Sequence, residues 1–460
     1  MSVELPETIA GCHSLIRELW SVIEQMQTQI NELQARLKQN SQNSSRPPSS
    51  DGFHQPKAAL PKKAKPRGGQ KDHLGKTLQS VAKPDVVVAC APISCPCGLP
   101  AWSVEADIVE RRQVFELPEP RLEVIEYQRI RRSCQCGRRS CGEFPPAVAA
   151  SVQYGPRVQA LVSLLSVHGC LSYGKIRQLF ADLYGSELNE ATSQAMVQKT
   201  SEAMPLGVIK AGLRASPVVH FDETGVRENG RVKWLHNAST GALTYQFAHE
   251  KRGLEALRDA KSVLPEFAGI AAHDCWGSYF SFGGMRHALC NAHILRELTG
   301  IIENASSNWG QQMKDLLLGM YVASDYGKGV IPEIAGFEKS YDKIIEAGEA
   351  EEPPPERKHR KGKLKRTKGR NLLERLKKHK EWVLLFAKEA AVPFTNNQAE
   401  RDIRPSKVKQ KMNGGFRAAS GTESYSRIHS FISTLRKLNR PVFQELLSVI
   451  TGNPFEIFQT

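Results

Sequence analysis

Three carboxylates have the type and setting for metal-assisted phosphate chemistry: Asp222, Asp274 and Glu400. Asp222 ends the apolar run PVVHFD, and Asp274 lies 52 positions later, near the end of FAGIAAHDCW. Adjacent carboxylates repel unless cations sit between them, and hard oxygen donors select magnesium or manganese. Two such ions about 4 Å apart activate an attacking oxygen and stabilise a leaving one in phosphoryl displacement. Either aspartate alone is more often a turn or capping residue; the pair gains weight because both close apolar strands. Glu400, in PFTNNQAERDIRPSKVKQK, has a rival role, because Asn397-x-x-Glu400 has capping-box spacing. Pro405 is expected to limit that helix to about two turns before a kink. What favours chemistry is the basic run that follows: Arg401, Arg404, Lys407, Lys409, Lys411 and, further on, Arg417. Between 396 and 440 there are ten Lys or Arg against three acids, as a phosphate-facing surface needs.

The elements around these residues supply the positioning. PVVHFD, RVKWLHNAS and ALTYQFAHE read as three strands with turns at ENG and STG. GLEALRDAKSVL reads as a helix, and FAGIAAHDCW as a further strand. A meander of three strands, a helix and a strand is the order of a ribonuclease-H-like sheet. There the first strand and the one after the helix are neighbours, so Asp222 and Asp274 meet at adjacent strand ends. His273 precedes Asp274 and points to the opposite face, which assigns it to the core. His220 shares the face of Asp222 and either borders the site or is a hydrogen-bonded core histidine. Trp276 could stack on a frayed base, though an aromatic after a strand more often packs. His287, Cys290 and His293 in HALCNAHILREL have metal-donor types. Of these, Cys290 is assigned to the core, while His293 and Arg296 are placed on the DNA side. No Ser or Cys nucleophile arrangement is visible.

The 126 positions between Asp274 and Glu400 exceed what such a fold needs. Helical patterns at 289–303 and 309–349 point to an insertion over about 300–390. Residues 356–380 hold thirteen Lys or Arg against two Glu, either a solvated face or a phosphate-contacting arm.

Upstream, Ile16, Leu19, Ile23, Met26, Ile30, Leu33 and Leu37 alternate spacings of three and four, a heptad seam. It reads as a short coiled coil over 12–40 that joins copies of the chain, rather than one amphipathic helix on a core. Residues 41–84 are apolar-poor and basic, a linker that either touches DNA backbone or is a solvated tether. Residues 85–146 form a small Cys-rich, zinc-ribbon-like module. Cys95, Cys97, Cys134 and Cys136 pair at the tips of strand hairpins, with Val114, Phe115, Leu122, Val124 and Ile125 strand-like between them. Each pair encloses one residue where the usual knuckle has two, so Cys90 or Cys141 could replace a member, or the metal could have been lost. Residues 150–205 read as three helices, either helix-turn-helix-like and DNA-binding or a plain bundle. The catalytic domain is expected over 215–445 and a tail over 446–460. The fold class is therefore multidomain α+β.

Bulk properties agree. A chain of 460 residues is too long for one core, and a charge of +15 with pI near 9.3 points to a polyanionic partner. No run of about eighteen apolar residues exists, so no membrane span is expected. No basic segment leads into an apolar one, so no secretory signal is expected. Clustered cysteines then favour metal over disulfides and a cytoplasmic location.

The sequence resembles the insertion sequence 66 family of transposases along nearly all its length. The heptads, NSSRPPSSD, RGGQKDHLGKTL, the cysteine pairs, HFDET, HDCWGSYF, HALCNAHILREL and NNQAERDIRPSKVKQKMNGGFRAASG carry the resemblance. It implies a triad of two Asp and one Glu at Asp222, Asp274 and Glu400, using magnesium or manganese, and an insertion before the glutamate. It further implies double-stranded DNA as partner, with recognition of terminal inverted repeats, attack on target DNA, and accessory proteins of the same element. The setting would be the bacterial nucleoid. Cleavage with strand transfer is the leading expectation. A catalytically inactive DNA-binding regulator is the alternative from another class, and a nuclease without strand transfer is the third.

Overall fold

The computed structural model describes residues 8–44, 51, 60–61, 63, 78–90, 108, 110–355, 366–417 and 420–457. The chain divides into two compact units, one of residues 1–63, 150–177 and 188–460, the other of residues 64–149 and 178–187. No helix among the described residues is long and apolar enough to cross a membrane.

In the larger unit, α1 (Ile9–Leu37) starts at Thr8, whose side chain accepts the Gly11 N–H, and it buries none of its residues. Its heptad residues stay exposed, Leu33 at 57%. Packing of this helix on a core is thus excluded among the described residues. Helices α2 (Pro156–Val167) and α4 (Glu190–Glu202) belong to this unit, and α3 (Tyr173–Tyr184) begins in it and continues into residues 178–184 of the other; Asn189 caps α4 by accepting the Ala191 N–H. The α2–α4 contact is tight and polar: Gln159 and Ser163 both donate to the Thr200 hydroxyl, at 3.0 and 2.8 Å. A fourth helix, α5 (Leu206–Arg214), leads into the sheet.

In the smaller unit a short hairpin pairs β1 (Arg131–Ser133) with β2 (Arg139–Cys141). Its turn carries Cys134, Cys136 and Gly137, and the glycine is required because φ is +83° there. The strand-like run at 114–125 forms no strand. Val114 and Val124 are about nine-tenths exposed, so no apolar face is buried to fix an extended pairing. Cys95 and Cys97 lie outside the described residues, as do most of the linker and residues 356–365 of the basic arm.

The five-stranded sheet holds β3 (Val218–Glu228), β4 (Arg231–Ser239), β5 (Thr244–His249), β6 (Ile270–His273) and β7 (Arg286–Leu289). Its spatial order is β5-β4-β3-β6-β7. The first three strands are antiparallel, while β6 lies parallel to β3 and β7 parallel to β6. Between β5 and β6 the expected long helix shrinks to α6 (Leu254–Leu257). The Asp259 carboxylate accepts the Lys261 N–H, and the Ser262 hydroxyl accepts the Leu264 N–H. Such local side-chain bonds offer the backbone turns in place of helix.

After β7 come α7 (Asn291–Ala305), α8 (Asn308–Ala323), α9 (Ala335–Glu351), α10 (Lys368–Lys378) and α11 (Lys380–Lys388). Trp309, Met313, Leu317, Tyr341, Leu373 and Leu384 are buried together with Ile270, Ala272 and Leu289 of β6 and β7. The inserted helices therefore share one apolar core with the β6–β7 end of the sheet. Against β3, β4 and β5 pack α12 (Asn397–Asn413) and α13 (Gly421–Lys437), followed by α14 (Val442–Ile450). Helix α12 runs straight through Pro405 for seventeen residues instead of ending there. Its face is held by burial of Ile403, Ser406 and Lys409, and the Ser406 hydroxyl donates to the Ile403 carbonyl next to the proline. Tertiary packing has overridden the helix-breaking residue.

Candidate functional site

The parallel register of β3 and β6 pairs Val218 with Ile270, Val219 with Ala271 and His220 with Ala272. Each pair is offset by 52 positions, the offset that separates Asp222 from Asp274. Both aspartates thus emerge at the same edge of neighbouring strands. Asp222 Oδ1 accepts the Glu223 backbone N–H at 2.9 Å, and Asp274 Oδ1 accepts the Trp276 backbone N–H at 3.0 Å.

Glu400 reaches the same place from the first turn of α12, and Asn396 explains how. The Asn396 side chain donates to the Phe221 carbonyl at 2.7 Å and meets His220 Nδ1 at 2.9 Å. Its backbone N–H donates to Cys290 Sγ at 3.1 Å. One buried residue therefore clamps the start of α12 against β3 and the end of β7. The capping-box reading fails for the same reason. The cap is Asn396, its side chain serves β3, and Asn397 is already helical. Glu400 Oε1 is buried without a hydrogen-bond partner.

Burial, and then the charges of Glu223, Asp274 and Glu400, push the Asp222 carboxyl well above the usual carboxylate range. Four acids thus share one electrostatic environment. Glu223 is neutralised locally: Tyr279 donates to it at 2.7 Å and Arg252 at 2.7 and 2.9 Å. Arg252 in turn lies over Trp276 at 4.4 Å and Trp234 at 5.2 Å. Its charge is fixed by cation–π contact on two sides. Among the described residues, the donors all within 4.8 Å of one another are Cys290, His293 and Glu400, not the three carboxylates.

The remaining expected residues separate. His273 is fully buried, meeting His287 at 2.9 Å and stacking on Tyr279, a core role. Trp276 packs edge-on to Tyr279. His220 is hydrogen-bonded to Asn396, and burial lowers its pKa. His293 Nε2 stands 3.8 Å from Glu400 Oε1. Burial opposes charge on both His293 and Cys290, yet their mutual attraction prevails. The thiol moves down and the imidazole up, to about 9. Arg296 is half-buried on the same helix, α7.

Arg401, Arg404, Lys407, Lys411 and Arg417 are exposed. Lys409 departs from the expectation: it is 9% exposed, and its ammonium donates to the Ser166 carbonyl at 2.6 Å. Burial lowers its pKa to about 8. An ammonium held inside the fold cannot meet a phosphate backbone, so Lys409 joins α12 to α2 instead. Arg227 sits beside Arg417, where Phe416 pairs with the β3–β4 hairpin through Arg227 and Asn229. The sequence carries no signal for Arg227 or Arg252; Tyr279, Glu223 and Asn396 lie inside the motifs HDCWGSYF, HFDET and NNQAER, which mark their neighbourhood but not their roles. Cys134 and Cys136 share one turn, where the Cys136 backbone N–H and thiol draw the Cys134 thiol down.

The family described as Transposase IS66 family matches residues 151–424, and a family of unknown function, DUF6444, matches residues 4–79. The first match spans more than half of the chain, which therefore belongs to the IS66 family of transposases. No curated protein matches the chain.

Proposed function

With membership of that family as premise, we propose that this DNA transposase cuts and rejoins DNA ends at a pocket formed by Asp222, Asp274 and Glu400. The observation that carries this reading is the convergence of half-buried acids from β3, the end of β6 and α12. Glu400 Oε1 has no hydrogen-bond partner, and among the described residues no Lys or Arg forms an ion pair with Asp222 or Glu400. A half-buried cluster of four acids, offset only by Arg252 at Glu223 and His293 at 3.8 Å from Glu400, fits divalent cations. Asp222, Asp274 and Glu400 would hold magnesium or manganese, whose charge would favour deprotonation of the attacking oxygen and departure of the leaving one. The strand order supports a ribonuclease-H-like catalytic domain interrupted by helices α7–α11.

The chain's own residues orient the chemistry. Asn396 fixes the depth of α12 and hence the reach of Glu400. Tyr279 and Arg252 hold Glu223 in place beside Asp222. Exposed Arg401, Arg404, Lys407, Lys411, Arg417 and Arg227 would bind the phosphate backbone of terminal repeat and target DNA. His293 and Arg296 flank the pocket from α7. Helix α1, with an exposed heptad seam, supports pairing with a second copy of the chain. Cys134 and Cys136 on one turn, with Cys95 and Cys97, would form a structural zinc site. Accessory proteins, a bacterial nucleoid setting and the boundaries drawn above for the coiled coil, linker, helical and catalytic domains belong to the same reading.

The test is Asp222→Asn. Metal-dependent cleavage of terminal-repeat DNA is lost and DNA binding is retained; unchanged cleavage removes Asp222 from the mechanism. A wild-type chain that binds repeats but never cleaves them, with metal and accessory proteins supplied, is a regulator instead.

A further inference from the structure

We infer that Cys290, His293 and Glu400 form a second cation site, selective for a thiophilic divalent ion of the zinc class. Its occupation engages one oxygen of Glu400 and sets a dication beside the acidic pocket. The three donor atoms lie within 4.8 Å of one another. Cys290 caps α7 and His293 follows three residues later, which places them on one helical face. Cys290 Sγ already accepts the Asn396 N–H at 3.1 Å, a bond that stabilises a thiolate ligand.

Two further atoms point to a ligand. Glu400 Oε1 and His293 Nδ1 are both buried without hydrogen-bond partners. Buried polar atoms normally have partners, and the other ring nitrogen, His293 Nε2, stands 3.8 Å from Glu400 Oε1, so imidazole and carboxylate lie close enough to share an occupant. Sulfur, imidazole nitrogen and one carboxylate oxygen are zinc ligands, whereas magnesium demands oxygen. Three protein ligands leave the fourth tetrahedral position open. The two sites therefore sort cations by softness while sharing one residue. That zinc weakens catalysis rests on the reading of Glu400 as a pocket ligand; that zinc binds does not.

The experiment uses cobalt(II) as a spectroscopic stand-in for zinc on the full chain. The parent carries Cys90→Ser, Cys95→Ser, Cys97→Ser, Cys134→Ser, Cys136→Ser and Cys141→Ser, which removes the other clustered thiols. One equivalent of cobalt should bind with a thiolate-to-metal charge-transfer band that excess magnesium does not erase. In Cys290→Ser the band is lost, and in His293→Gln affinity drops by about a hundredfold. A parent without the band, or a band unchanged in Cys290→Ser, overturns the site. Should Cys290→Ser fail to fold by circular dichroism, X-ray absorption on the zinc-loaded parent decides: one sulfur neighbour supports the site, and only nitrogen and oxygen overturn it. Finally, the ratio of magnesium-dependent cleavage with and without one equivalent of zinc should fall in the parent and hold in Cys290→Ser. Cobalt binding with an unchanged ratio overturns the link to Glu400. Cobalt binding with no cleavage under any condition leaves the site standing and removes the catalytic reading.

Discussion

Glu400 and Asp402 stand two residues apart on α12, and both are withdrawn from solvent, yet they are treated oppositely. Asp402 faces Lys437 at 2.7 Å and accepts Gln398 Nε2 at 2.9 Å. Lys437 also donates to the Thr240 and Leu243 carbonyls, at 2.8 and 2.9 Å. Every charge there has an internal partner. Glu400 turns the other way, toward Asp222 and Asp274, and leaves Oε1 without a donor. A helix thus presents a close ion pair with Lys437 on one side and, on the other, a carboxylate among acids whose nearest positive group is His293 at 3.8 Å. The first arrangement belongs to the fold; on the reading proposed above, the second awaits a cation.

This contrast can be broken at several points. The largest effect is expected from Asp222→Asn, which should lower metal-dependent cleavage of terminal-repeat DNA by about a thousandfold or more while binding persists. Single-turnover cleavage beside a binding titration reads both. Lys437→Met should destabilise the protein by about 3–5 kcal/mol in urea unfolding, because it strands the Asp402 carboxylate in the interior. A loss below about 1 kcal/mol would mean that Asp402 is no more internally balanced than Glu400.

Asn396→Ala comes next, at about 2 kcal/mol, since it orphans the Phe221 carbonyl and His220. Its cleavage rate, measured on fully folded protein, should fall as well, because Glu400 loses its anchor. Full cleavage in the folded variant would show that α12 needs no such clamp.

The smallest effect has the opposite sign. Without metal, Asp222→Asn should be more stable than wild type by about 1 kcal/mol near neutral pH, because buried like charges are removed. The sign follows from the raised Asp222 carboxyl. The folded state holds its proton to higher pH than the unfolded chain, so wild-type stability falls as pH rises through that window. The advantage of the variant should therefore vanish below about pH 4. Buried His236, His273 and His429, whose pKa values are depressed, titrate in both proteins and cancel in the difference. An equal denaturant midpoint for the two proteins at neutral pH would count against a strained pocket.

Much of this was legible beforehand, for identifiable reasons. The period-two runs around Asp222 and the buried run before Asp274 carry their own strand signal, and their offset is a register. Asn189 and Gly185 mark helix ends by local chemistry alone, and α4 begins and α3 ends there. Other features were not legible because they depend on partners remote in the chain. Pro405 reads as a stop until Ile403 and Ser406 are seen to be buried. Lys409 reads as one more phosphate contact until its ammonium is found against Ser166. The helix at 253–264 fails because Asp259 and Ser262 bind nearby backbone. The extended run at 114–125 finds nothing to pair with.

By itself, then, the sequence determined which residue types could do chemistry, and roughly where strands and helices begin, since both follow from neighbours along the chain. It could not decide which acids would be neutralised. That depends on whether a lysine 35 positions away or a carboxylate more than a hundred away arrives at the same point in space, and only the packing of α12 between sheet and α13 chose.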